Sequence, residues 1–112
     1  SPFVPAYGNP PPPAPWLPVL RRAIRDEHAL QIDYRDESGA ATQRRIWPFA
    51  MAFFDEAHVI AAWCELRQDF RHFRADRVLA LADSGHRYPD RRHALMRRWR
   101  AQQGIDPAGP GC

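Results

Sequence analysis

The residues best suited to chemistry lie in one run, Arg67-Gln68-Asp69-Phe70-Arg71-His72-Phe73-Arg74-Ala75-Asp76-Arg77. Arg67, Arg71, Arg74 and Arg77 supply four planar, permanently charged guanidinium forks. Each fork can grip two oxygens of a phosphate or carboxylate. Phe70, His72 and Phe73 are interleaved with them, and a base can stack on such rings while arginine holds its phosphate. If the run is one strand, Arg71, Phe73 and Arg77 share a face with Ala75, and Phe70, His72, Arg74 and Asp76 share the other. A second account stays open. Phe70 or Phe73 is core, and the arginines pair with Glu65, Asp69 and Asp76 across strands.

The charge balance favours an anionic partner but does not prove one. All 16 basic residues other than histidine are arginine, which GC-rich coding would also produce. Residues 21–66 carry six arginines and eight carboxylates, a net of −2, whereas residues 67–100 carry ten and four, a net of +6. A basic second half attracts anions, although such asymmetry is often only a solvated face.

Catalysis has little to work with. Cys64 sits mid-strand among apolar neighbours, where a buried structural thiol is the common case. His28, His58, His72, His86 and His93 show no metal-ligand spacing. No enzyme activity, metal or cofactor is expected.

The arginine run needs a scaffold, and 112 residues suffice for one small domain. Residues 1–15 form a proline-rich linker, with Pro10 to Pro13 favouring extended polyproline II. Residues 16–103 form the domain, and residues 104–112 a flexible tail. Trp16 to His28 is predicted to be a helix, with Pro18 in its first turn and Leu17, Leu20 and Ile24 on one face. Leu30, Ile32 and Tyr34 alternate with polar residues as a half-buried strand does, and Glu37-Ser38-Gly39 is a hairpin turn. A strand at about 42–47 follows, and Pro48 ends its pairing or marks an edge or bulge. Asp55-Glu56 marks another turn. Later strands are expected at about 58–66, 70–77 and 78–82, with Ser84-Gly85 a turn. Pro89 to Gln102 is predicted to be a second helix carrying Leu95 and Trp99, with Gly104 as its C-cap. The fold class is therefore mainly β: a five-stranded small open barrel or strongly bent sheet, flanked by an N-terminal and a C-terminal helix. The first helix and the segment Trp47 to Phe54 could form a homodimer seam. Nothing resembles a signal peptide or membrane span, and the two cysteines suggest no disulfide framework, so a cytoplasmic protein is expected.

The run His58 to Val78, with Ile32-Asp33-Tyr34-Arg35, Gly39, Arg45 and Pro48 before it, resembles the signature strands of WYL domains. The resemblance covers roughly residues 17–100. It implies an SH3-type, Sm-like barrel acting as the ligand-sensing half of a bacterial transcription regulator. The partner domain would be a helix-turn-helix in the same or a partner chain. The implied ligand is an anionic effector, with single-stranded DNA or RNA the leading candidate. Arg67, Arg71, Arg74 and Arg77 match the family's basic ligand-facing set. Tyr34 and Arg45 match it more loosely, and His72 lies inside the cluster. The eponymous Trp-Tyr-Leu is His58-Val59-Ile60 here, so only its apolar strand character remains. Residues 1–15 hold no helix-turn-helix, and this chain alone is not expected to bind an operator. The alternative is a stand-alone Sm-like nucleic-acid-binding or dimerisation module.

Overall fold

The computed structural model describes residues 4–5, 14–54 and 56–103. The Pro10–Pro13 run, Asp55, the Gly104 cap and the tail with Cys112 lie outside them. The order of elements is β1 (Val4–Pro5), α1 (Leu17–Asp26), β2 (His28–Arg35), β3 (Ala41–Phe54), β4 (Ala57–Cys64), β5 (Asp69–Arg74), a 3-10 turn (Ala75–Arg77), β6 (Val78–Arg87) and α2 (Arg92–Gln103). Five antiparallel strands pair in the order β5-β4-β3-β2-β6, and the short β1 pairs with the far end of β3. The mainly β, five-stranded sheet with two helices is as expected, but the five-stranded β-barrel is corrected: the sheet is not closed into a barrel. β5 and β6 follow one another through the 3-10 turn, and no ladder joins them.

Local chemistry explains most boundaries. Leu20 and Ala23 put the buried stripe of α1 against the sheet. The helix stops two residues short of His28 because Glu27 turns left-handed, at φ 62°, and His28 already belongs to β2. In the β2–β3 hairpin, one oxygen of Asp36 accepts the Ser38 and Ala40 amide hydrogens and the Ser38 hydroxyl hydrogen. Gly39 supplies the positive φ of 88° that the turn needs.

Pro48 marks a bulge. It pairs with Ala62 while Ala50 pairs with Ala61, so Phe49 is the extra residue and turns fully inward. A bulge bends its strand and tolerates a residue without an amide hydrogen. β3 can therefore pair β2 with its first half and β1 with its last. β6 runs on to Arg87, past the expected end at residue 82. Ser84-Gly85 is not a chain-reversing turn but part of a bulge lying between the pairs Leu30–Asp83 and His28–Arg87.

The bent sheet has a core on each face. Leu20, Ala23, Leu30, Ile32, Ile46, Ile60, Ala62, Cys64 and Phe73 pack beneath α1. Phe49, Ala61, Tyr88, Leu95 and Trp99 pack beneath α2. β4 serves both cores, which is why Val59 through Ala62 are all buried. Leu66, the last residue of the strand expected at about 58–66, instead stands exposed in the β4–β5 turn. Leu20, Ala23, Phe49 and Ala52, from the two segments expected as a dimer seam, are fully buried within the chain. No helix among the described residues is long and apolar enough to cross a membrane.

Candidate functional site

A groove of about 320 Å³ opens between the β2–β3 hairpin and the β4–β5 edge. Five arginines line it: Arg44 from β3, Arg67 from the β4–β5 turn, Arg71 and Arg74 from β5, and Arg77 from the 3-10 turn. Tyr34, Phe73, Asp36 and Glu37 also border it.

Each arginine reaches the groove for a local reason. The β4–β5 turn closes with the Gln68 amide hydrogen on the Cys64 carbonyl at 2.8 Å, with Gln68 left-handed at φ 53°, and Arg67 stands at its outer corner. Arg71 shares its strand face with Phe73, whose ring is buried under α1. Strict alternation would send Arg74 to the other face. The strand ends there, however, and the 3-10 turn rotates the chain so that Arg74 and Arg77 come to the same rim.

Tyr34 holds this corner in place. Its oxygen accepts the backbone N–H of Arg74 at 2.9 Å, and Phe73 meets its ring edge-on at 5.1 Å. This is a tie from β2 to β5 across the side of the sheet where no ladder closes it.

The electrostatics separate the five. Arg74 is forked onto Asp76 at 3.0 and 2.8 Å, and that bond holds the Asp76 carboxyl below its usual range. Arg44, Arg67, Arg71 and Arg77 make no side-chain hydrogen bond or ion pair among the described residues. Of the two carboxylates at the rim, Asp36 is occupied by its own turn, chiefly by the Ser38 hydroxyl, which lowers its pKa. Arg44 acts on Asp36, Arg71 on Asp69 and Arg77 on Asp76 through their charges alone, and the five cations outnumber the two carboxylates at the rim. Like charges gathered along one groove repel one another.

Two residues expected at the site are turned elsewhere. Arg45 lies on the opposite face of β3, with its Nε 3.2 Å from Glu65. Trp47 donates its indole hydrogen to the same Glu65 oxygen at 2.7 Å. His72 borders the groove, but its Nε2 accepts the Trp99 indole hydrogen at 2.9 Å on the α2 side. Arg44 was missed. It pairs directly with Ile32 and is two residues from Ile46, so the alternation that buries those residues also gives its face.

A family model described as WYL domain matches residues 15–82. The chain belongs to the WYL domain family. All five groove arginines and Tyr34 fall inside the matched segment, whereas α2 lies beyond it. Among solved structures, this WYL domain is similar to proteasome accessory factor B/C (PafBC) of Arthrobacter aurescens, with a TM-score of 0.64 and 23% identity. That match covers 88% of this chain and 15% of the other, so the WYL domain here corresponds to a small part of that protein's length. No curated protein matches.

Among the described residues, no group of three or more His, Cys, Asp or Glu could hold a metal ion. Cys64 is a buried free thiol within the α1-side core.

Proposed function

We propose that this WYL domain is the ligand-sensing, regulatory part of a bacterial transcription regulator and takes an anionic effector in the arginine groove. One observation carries the proposal: Arg44, Arg67, Arg71 and Arg77 line a single groove, and none of them forms an ion pair among the described residues. Single-stranded DNA or RNA is the leading effector, because guanidinium forks match phosphate oxygens and tolerate any sequence. A helix-turn-helix domain in the same or a partner chain would convert effector binding into a change in operator binding. The role is one of binding and not catalysis: the nearby thiol of Cys64 is buried, and Nε2 of His72 is engaged by Trp99.

The test is a fluorescence titration with a labelled oligothymidylate at several salt concentrations. Each phosphate neutralised on a single strand contributes about −0.7 to the log–log salt slope. Contact by three arginines gives a slope near −2. Arg71→Ala is expected to weaken binding and flatten the slope by about 0.7. Arg22→Ala, on the exposed face of α1, is expected to do neither. Absence of binding at low salt, or binding indifferent to both Arg71→Ala and Arg74→Ala, removes nucleic acid from first place.

A further inference from the structure

The aromatic rings interleaved with the arginines in sequence are not available to a ligand in the groove. Phe73 is 4% exposed and wedged edge-on against Tyr34, itself 9% exposed. Phe70 faces the other side, edge-on to Phe49 at 5.8 Å and Trp63 at 5.1 Å, with the Arg98 guanidinium 5.5 Å above it. His72 is edge-on to Trp99 and bonded to it. Proteins that bind single strands without sequence preference combine a basic track with open ring faces. This groove has the first and, among its described residues, no free ring face of the second.

What it does present is hydrogen-bond donors. Four guanidiniums are unpaired, and a fifth is shared with Asp76. The Tyr34 oxygen already accepts the Arg74 amide hydrogen, so the hydroxyl has its own hydrogen to give. The space, about 320 Å³, is at the small end of the roughly 300–1,000 Å³ usual for ligand pockets. It suits a few adjacent phosphoryl groups.

We infer that the groove recognises its ligand as an oligophosphate, through phosphoryl oxygens alone, with no contribution from base stacking. This rests on the assignment of the groove as the ligand site. Two sources share the chemistry: the backbone of a single strand, and the polyphosphate end of a small molecule. Base identity, and the presence of a base at all, then has little effect on affinity.

The experiment compares three probes on the full chain: an oligothymidylate, an abasic deoxyribose-phosphate strand with the same number of phosphates, and inorganic tripolyphosphate. The abasic strand is expected to bind within threefold of the oligothymidylate, with the same salt slope, and tripolyphosphate is expected to displace both. All three should weaken in Arg71→Ala, a substitution at an exposed position that is expected to leave the fold intact. Tripolyphosphate binding tighter than either strand assigns the groove to a small polyphosphate. Strands binding tighter assign it to a backbone. Either result upholds the inference. An oligothymidylate more than tenfold tighter than the abasic strand, and still dependent on Arg71, overturns the inference and leaves the ligand site standing. No binding of any probe at low salt overturns both.

Discussion

The two faces of β5 use arginine in opposite ways. On the groove side, Arg67, Arg71 and Arg77 form no ion pair among the described residues. On the α2 side, Arg87 and Arg91 share Glu27, and Arg98 binds Asp90 while lying over Trp63 and Phe70. Counting charge along the chain gives both sides equal claim to a ligand, since the second half is basic throughout. Counting partners separates them. Among the described residues, three of the six arginines from residue 87 onward, Arg87, Arg91 and Arg98, are ion-paired, whereas in the groove only Arg74 of the five is. The lesson is that an arginine cluster is the stronger candidate for an anion site where fewer of its charges are ion-paired, whatever their number.

The sharpest way to break this division is to dismantle the α2 side and ask whether the groove survives. Trp99 is 1% exposed, packs on Phe49 at 5.6 Å and donates to His72. Trp99→Ala is expected to cost about 3–5 kcal/mol. For a domain of this size that lowers the melting temperature by more than about 10 °C. Trp99→Phe keeps most of the packing and loses the indole bond, so about 1–2 kcal/mol is expected. Thermal melts followed by circular dichroism read both. Well below its melting point, Trp99→Phe should bind oligothymidylate as the wild type does. A folded Trp99→Phe protein that no longer binds would show that the two faces of β5 are coupled through His72.

Glu27 comes next in size. Its carboxylate accepts the Arg92 backbone N–H at 2.7 Å, at the start of α2, and the Arg87 guanidinium at 2.7 Å. Its own carbonyl accepts the Tyr88 amide hydrogen. One residue thus joins the end of α1, the end of β6 and the start of α2. The Arg92 amide, followed by the Arg87 bond, holds the Glu27 carboxyl below its ordinary pKa. A depressed folded pKa means that the unfolded chain takes up the proton first as pH falls. The stabilisation is complete above the ordinary glutamate value of about 4.3 and is lost as pH drops through the lower folded value. Glu27→Ala is expected to cost about 1–3 kcal/mol at neutral pH. Its stability should also fall less steeply than wild type below about pH 5. Equal pH dependence in urea melts of the two proteins would remove Glu27 from this role.

Much of this was legible in the sequence, and the failures have physical causes. α1 and the first hairpin follow from apolar spacing and turn residues, and Pro48 announced its bulge. β4 lies between two cores, so alternation could not tell its faces apart. β5 was read through to Arg77 because nothing local forbids a strand at Ala75-Asp76-Arg77. What ends it there includes the bond from the Arg74 amide to Tyr34, 40 residues away. Glu27 was read as an ordinary helix residue, because its partners lie about 60 residues ahead. Arg67, Arg71, Arg74 and Arg77 were expected together from their spacing and from the family resemblance, and they line one groove. Phe70 and His72 face the α2 side, as alternation with Arg71 implies, and Phe73 is buried in the α1-side core.

The smallest expected effect is the most discriminating, because it sets two adjacent arginines against each other. Arg44 pairs across the hairpin with Ile32 and faces the groove, while Arg45 pairs with Gln31 and faces away. Arg44 has no ion-pair partner among the described residues, so the main effect of Arg44→Ala is to remove one positive charge from the groove. Oligothymidylate binding should weaken severalfold, with the salt slope flatter by up to about 0.7. Arg45 is half-exposed and paired with an equally half-exposed Glu65. Such pairs contribute about 0–1 kcal/mol. Glu65 keeps the Trp47 indole as a donor when Arg45 is lost, so no buried acceptor is orphaned. Arg45→Ala should therefore change stability by less than about 1 kcal/mol and leave the salt slope of binding untouched. Both variants lose one positive charge, so a ligand held by the general field of the domain would weaken equally in both. Unequal loss, with Arg44→Ala the weaker binder, requires a ligand seated in the groove itself.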